Sequence, residues 1–304
     1  MNLKPRIKGI IFVILGATLW GVSGSVAQFL FKTKGFNTEW LVTIRLLASG
    51  ILLLLYSYSK SKNDIFKVWK NKRTALGLIV FSLVGMLGSQ YTYFAAINHG
   101  NAATATILQY LSPVFITLYM IVKNRKLPSI KQIGAIALAM LGTFFIITNG
   151  NINEINISKS ALFWGIAAGI TAAFYTLQPK KLLAEFGSIL LVGWGMLIGG
   201  ISFSFIHAPW NFQGEWTTSS FLGVFFVVIF GTLIAYNCYL NSLKYIEPTE
   251  ASILSSSEPL SAAFLSVIWL KEVLGLAQWI GTICIIITIV MLSTTKGKTS
   301  ESKC

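Results

Sequence analysis

The chain has 304 residues, of which 54% are hydrophobic and 11% charged, and its 24 basic side chains face 10 acidic ones for a net charge of +14. So little charge excludes a soluble domain of this length, whose surface would need far more. The basic excess is concentrated between apolar runs, which explains it through membrane orientation and leaves no need for a nucleic-acid partner.

In chain order the apolar runs predict helices over 8–31, 38–58, 74–97, 102–121, 131–149, 160–178, 187–206, 220–241, 249–270 and 274–294. Each has about the 20 residues that cross a ~30 Å hydrocarbon core. The runs are long and continuous, without the alternation of a lipid-facing barrel strand, and backbone groups in lipid must otherwise bond within their own segment. The expected fold is therefore an all-α polytopic membrane protein. Ser25, Val26 and Ala27 follow a basic start and an apolar run, as a secretory cleavage site would. The apolar segment continues past them, however, and its removal would leave nine helices and break the repeat described below, so a retained span is expected.

The loops on one side collect Lys60, Lys62, Lys67, Lys70, Lys72 and Arg73, then Lys123, Arg125, Lys126 and Lys131, then Lys180, Lys181 and Lys244. Lys4, Arg6 and Lys8 join them at the start, with Lys296, Lys298 and Lys303 at the end, whereas the other side holds only Lys32, Lys34, Lys159 and Lys271. The positive-inside rule then places both termini in the cytoplasm and the protein in the cytoplasmic membrane.

A shift of 146 lays Gly77 on Gly223, Gly85 on Gly231, Tyr93 on Tyr239, Ala105 on Ala251, Pro113 on Pro259 and Gln132 on Gln278. Shared Gly and Pro positions record backbone requirements, close helix approach for one and an interrupted helix for the other. The chain thus reads as two five-helix repeats, 1–148 and 160–304, joined by a polar outer linker 149–159 containing Asn149, Asn151, Asn153, Glu154 and Asn156. Five spans per repeat invert the second copy relative to the first, the usual architecture of a secondary transporter.

The segment Tyr93–Pro113, with Ala-Ala and Ala-x-Ala spacing before a mid-helix proline, resembles the fourth-helix signature of EamA-type members of the drug/metabolite transporter superfamily. Tyr239 to Pro259, then Lys271, Glu272 and Gln278 to Gly281, is similar to the end of the second EamA repeat. Lys126 stands where an acid often ends the first fourth helix. The resemblance implies a ten-helix bundle with a central cavity and alternating access, in a family that exports amino acids, amines, drugs and related metabolites and includes some importers.

The residues themselves suggest where a substrate sits. Proline has no N–H, so Pro113 frees the carbonyl of Gln109 and Pro259 that of Ser255. Helical spacing puts Gln109 and Ser112 on one stripe and Ser255 and Glu258 on its mirror. Glu258 lies about ten residues into an apolar segment, where a carboxylate must pair, face water or take up a proton. It is a candidate for an amino group of the substrate, for proton coupling, or for a structural bond to Arg45 or to Ser255, Ser256 and Ser257. Arg45 either snorkels outward, pairs with Glu39 or a helix carbonyl, or binds a substrate anion. Gln90 with Tyr93, and Tyr236 with Tyr239, form mirrored polar pairs, while Tyr91 points about 200° from Tyr93. Trp20 and Tyr175 add aromatic walls, which with Glu258 suit an amine through cation–π attraction.

No catalytic set is present, because His99 and His207 lack a nucleophile. Cys238, Cys284 and Cys304 have no metal or disulfide spacing, and no phosphate loop follows a strand, so no cofactor or metal is expected. Gly195 and Gly199 serve either intramolecular packing or a homodimer. Trp40, Trp210, Trp216 and Trp269 fit an interfacial belt. The combined expectation is a carrier, not an enzyme, for an amino acid, amine or related metabolite, with export favoured by the resemblance and proton or substrate counter-exchange as candidate couplings, no residue fixing which ion, if any, supplies the energy. Uptake of choline-like amines, a channel, or a structural membrane partner are the alternatives.

Overall fold

A computed structural model of the chain describes residues 5–60, 65–124, 129–151, 157–246, 251 and 254–295. Lys4, Lys62, Arg125, Lys126, Asn153, Glu154, Asn156, Lys296, Lys298, Lys303 and Cys304 lie outside them. Every regular element among the described residues is helical. The long helices are α1 (Pro5–Lys34), α2 (Thr38–Lys60), α3 (Lys72–His99), α4 (Ala102–Lys123), α5 (Ile130–Thr148), α6 (Lys159–Leu177), α7 (Ser188–Ser204) and α8 (Thr218–Ser242). They are followed by α9 (Ser257–Ile268) and α10 (Leu276–Thr295). Among the described residues seven are long and apolar enough to cross a membrane singly; the short helix Lys180–Phe186 meets α7 at a bend of 118°, an eighth span by length and composition if the bent pair is counted as one, and α9 and α10 are shorter apolar helices. Each of the ten segments expected from the apolar runs holds a helix, the ninth over Ser257–Ile268 among the described residues, and the chain is an integral membrane protein.

Helix starts follow from side chains that accept the orphan N–H groups of a first turn. Asn101 accepts from the Thr104 N–H at 2.8 Å at the start of α4, Ser158 from Ala161 at 3.0 Å at α6, and Ser129 with Gln132 makes a reciprocal capping box at α5.

Packing links the two halves by exchange. α2 runs along α7 and α5 along α10, each helix meeting its counterpart; α1 packs on α8 and α9, and correspondingly α6 packs on α3 and α4. With no hydrophobic drive between helices in lipid, small residues permit the closest approaches. A Cβ at Gly50 would lie 2.5 Å from the Leu197 nitrogen, and one at Gly200 2.9 Å from that of Leu47, so α2 and α7 touch through both glycines. A Cβ at Gly195 would lie 2.8 Å from the Phe81 ring and one at Gly199 3.2 Å from the Ser82 carbonyl, which points this Gly-x-x-x-Gly at α3 of the same chain.

The halves also share their irregularities. α3 widens into a π-helical stretch at Phe81–Leu87 and α8 at Ile229–Ile234, while α4 breaks at Tyr110 and Leu111 and the chain entering α9 breaks at Ser255 and Ser256. Pro113 and Pro259 follow these breaks, as expected for residues that cannot continue the hydrogen-bond ladder.

At the end of the bundle away from the described chain termini, Phe36, Trp40, Phe212 and Trp216 form a cluster with ring centroids 5.2 to 5.6 Å apart. Trp40 is no belt residue: it is 6% exposed and donates its indole N–H to the Pro209 carbonyl at 2.7 Å. The clustering of four rings outweighs the interfacial preference of one. Trp40→Phe keeps the ring and loses the hydrogen bond, and is expected to lower stability by about 1 kcal/mol in thermal unfolding of the purified protein.

A central cavity as the candidate substrate site

The bundle holds a cavity of about 730 Å³ that opens at one end. Helices α1 and α3 contribute Trp20, Gln90 and Tyr93 to its wall, and α4 and α6 contribute Gln109, Ser112 and Tyr175. Tyr236 and Tyr239 enter from α8, and Ser255 and Glu258 from the break before α9 and its first turn. All ten residues singled out in the sequence as substrate-binding candidates therefore border one space, together with Arg45 and Pro113.

The cavity extends to Thr176, Leu183, Gly187, Ser188 and Leu243, at the end of the bundle where α1 starts and α10 finishes. The opposite end is closed. There Gln28, 2% exposed, donates to the Glu272 carboxylate at 2.6 Å and accepts from the Ala102 N–H at 2.7 Å, tying α1, the start of α4 and the loop before α10. The sequence reading passed over Gln28, although a glutamine one turn from the end of an apolar helix is a residue that needs partners. Gln28→Leu strands both partners, and is expected to cost about 1–3 kcal/mol in the same unfolding measurement.

Aromatic packing holds the cavity walls. Trp20 meets Tyr236 edge-on at 5.1 Å and Tyr239 at 5.3 Å, and Tyr175 stacks on Phe81 at 5.5 Å. The Tyr93 hydroxyl lies 2.8 Å from that of Thr106, whereas Tyr91 faces away, with its hydroxyl donating to Glu39 at 3.2 Å. The helical phase expected of this pair is what the structure shows.

Arg45 does not snorkel. It is 5% exposed and crosses to α8, where Nε donates to Thr232 Oγ1 at 2.8 Å and Nη2 to the Gly231 carbonyl at 3.3 Å, with the guanidinium 4.8 Å from the centre of the Phe94 ring. The reason is the π-helical stretch of α8, which turns acceptors sideways; Thr232 itself donates to the Val227 carbonyl at 2.9 Å across the widened turn. These bonds use part of the five-donor fork and go to neutral acceptors. Beside Gly231 the Ser23 hydroxyl, also on the cavity wall, is buried without a hydrogen-bond partner.

The Glu258 carboxylate is bonded neither to Arg45 nor to the hydroxyls of Ser255, Ser256 and Ser257: Ser255 donates to the Ala251 carbonyl, and the other two hydroxyls are buried without a partner. Glu258 Oε2 lies 2.9 Å from the hydroxyl of Tyr110, and the same hydroxyl lies 2.7 Å from the carbonyl of Ser255, the acceptor released by Pro259. The sequence reading missed Tyr110. Its signal was position: it occupies the break of α4, three residues before Pro113, opposite the matching break before α9. Among the described residues no three His, Cys, Asp or Glu side chains converge as a metal site would require.

Comparison with known proteins agrees with this architecture. The pattern of the EamA-like transporter family matches residues 7–148 and 159–294, once in each half. The chain is 38% identical over 286 residues to the uncharacterized inner membrane transporter YicL of Salmonella typhimurium, covering 94% of this chain and 95% of that one. It is 26% identical over 298 residues to the threonine/homoserine exporter RhtA of Escherichia coli, covering 97% and 94%. A solved crystal structure superposes with a TM-score of 0.60 at 15% identity, over 94% of this chain and 95% of that one, and so shares the fold. With both halves matched and a relative this similar over nearly its full length, the chain belongs to the EamA-like transporter family.

Proposed function

We propose that the protein is a secondary carrier that exports a small metabolite bearing an amino group, with amino acids as the leading class. The observation that carries this reading is that one cavity is bordered by both a buried carboxylate, Glu258, and a buried guanidinium, Arg45. Two opposite charges kept out of water and bonded to neutral groups are costly, and a zwitterion set between them would compensate both. The ammonium would meet Glu258 and the aromatic faces of Trp20, Tyr236 and Tyr239, and the carboxylate would meet Arg45. Gln90, Tyr93, Gln109, Ser112, Tyr175 and Ser255 supply the remaining polar and aromatic wall.

The positive-inside rule supports cytoplasmic termini, which makes the open end of the cavity the cytoplasmic one, the loading state of an exporter. The halves 1–148 and 160–304, inverted by their five spans each, would then rock about the site so that the Gln28–Glu272 end opens as the other closes. The relative that exports threonine and homoserine supports the substrate class and the direction. Glu258 is the proposed point of proton or substrate exchange.

The aromatic wall also favours a second reading, uptake of a choline-like amine. Counterflow into proteoliposomes loaded with pooled amino acids or pooled amines separates the two. A carrier accumulates a labelled member against its gradient and saturates, a channel does neither, and Arg45→Lys is expected to impair an amino acid at least tenfold while sparing its decarboxylated amine. Equal loss for both compounds would remove Arg45 from carboxylate recognition.

A further inference from the structure

Tyr110 stands in α4 at the break of the first half, and of the two oxygens it touches, the Ser255 carbonyl at 2.7 Å belongs to the backbone of the second break and Glu258 Oε2 at 2.9 Å to a side chain in the first turn of α9. A phenol has one proton, so it donates fully to one acceptor at a time. A carbonyl oxygen cannot donate. Both short contacts are therefore filled together when Glu258 carries a proton: Tyr110 donates to Ser255, and the Glu258 carboxyl donates to the Tyr110 oxygen. When Glu258 is a carboxylate, the tyrosine proton turns to it, because a hydrogen bond to a charged acceptor is about twice as strong. Ser255 tolerates the loss, since its carbonyl also accepts the Glu258 N–H at 2.9 Å.

We infer that Tyr110 is a positioning residue that reads the proton on Glu258 and converts it into a bond between the two helix breaks. The proton comes from cavity water and returns to it, and Tyr110 keeps its own throughout, so the only change is which acceptor the hydroxyl faces. With Glu258 protonated, α4 is bound to the backbone of the opposite break; with Glu258 charged, that backbone bond is released while the carboxylate is held. An ammonium arriving at Glu258 favours the charged arrangement, so proton and substrate amine compete at one carboxyl, which is the logic of exchange. The ionisable groups facing Glu258 are Arg45 from α2, Tyr93 from α3, Tyr110 from α4, and Tyr236 and Tyr239 from α8. Of these, Tyr110 makes the hydrogen bond to its carboxyl.

This inference rests on the carrier reading for its use but not for its test, which needs no substrate. Infrared difference spectra of the reconstituted protein between acid and alkaline pH are expected to show a protonated carboxyl stretch that disappears in Glu258→Gln. In Tyr110→Phe the stretch should remain but move to higher frequency, because the carboxyl has lost its partner, and the midpoint of its pH titration should be displaced by about one unit. Ser256→Ala, one residue from the same backbone, should leave band and midpoint unchanged. A Tyr110→Phe spectrum and titration identical to wild type would overturn the inference, as would absence of any band assignable to Glu258. Either result leaves the carrier reading standing on counterflow, and failed counterflow with the expected spectra would overturn the carrier reading alone.

Discussion

Reconstituted Glu258→Gln protein is expected to lose counterflow of the physiological substrate by one to two orders of magnitude and to lose its pH dependence, while eluting as a folded particle like the parent. Glutamine has the same shape, and its carbonyl oxygen still accepts from Tyr110, so the packing around the break survives. What disappears is the charge. A hydrogen bond to a charged group contributes about 1.5–3 kcal/mol, which is about 10- to 150-fold in binding. Counterflow measured for both proteins at two pH values tests this. Unchanged rates at both would remove Glu258 from substrate binding and from proton coupling together.

The largest structural effect is expected where α5 and α10 cross. A Cβ at Gly142 would lie 2.8 Å from the Gly281 carbonyl oxygen and one at Gly281 2.5 Å from that of Gly142, so each backbone occupies the space a side chain would need. Gly281→Leu can be housed only by separating two helices that are packed along their length. Overpacking costs about 1–3 kcal/mol even where neighbours can adjust, and backbone adjusts poorly. The variant should unfold several degrees below the parent and accumulate poorly in membranes. Gly134→Leu on α5, the other helix of the pair, is the control: its Cβ would meet only the end of Met291 at 3.7 Å, an ordinary contact, and stability should hold. Equal stability of the two variants would contradict the close crossing.

Much of this arrangement was legible beforehand because membranes simplify the code. A bilayer demands about 20 apolar residues per span, so continuous runs located the helices within a few residues. Pro113 and Pro259 marked the breaks for a reason independent of surroundings, the missing N–H. Intramembrane polar residues are costly enough that Gln90, Tyr93, Tyr236 and Glu258 had to face something other than lipid, and they border one cavity. What stayed hidden depends on partners distant in sequence. Arg45 is held by Thr232 and Gly231, so nothing near residue 45 shows that it points inward. Tyr110 looks like a packing aromatic until Glu258 is placed against it. Trp40 looks interfacial until Phe212 and Trp216 fold back on it.

The π-helical stretches of α3 and α8 have a consequence for how the chain can vary. Each widened turn holds one residue more than an α-turn, and the residues beyond it are rotated by about 100° from where an unbroken helix would put them. In both halves the polar pair of the cavity follows directly: Gln90 and Tyr93 come just after Leu87, and Tyr236 and Tyr239 just after Ile234. Chain length at 81–87 and 229–234 therefore sets the angular phase of these side chains. Deleting a single residue there would let the α-helix close while swinging the pair off the cavity, an error that no choice of side chains within the stretch repairs. A loop such as 207–217 sets no such phase, although its Pro209, Phe212 and Trp216 are themselves placed against Trp40. In these two spans the number of residues is itself part of the specification, as much as their identity.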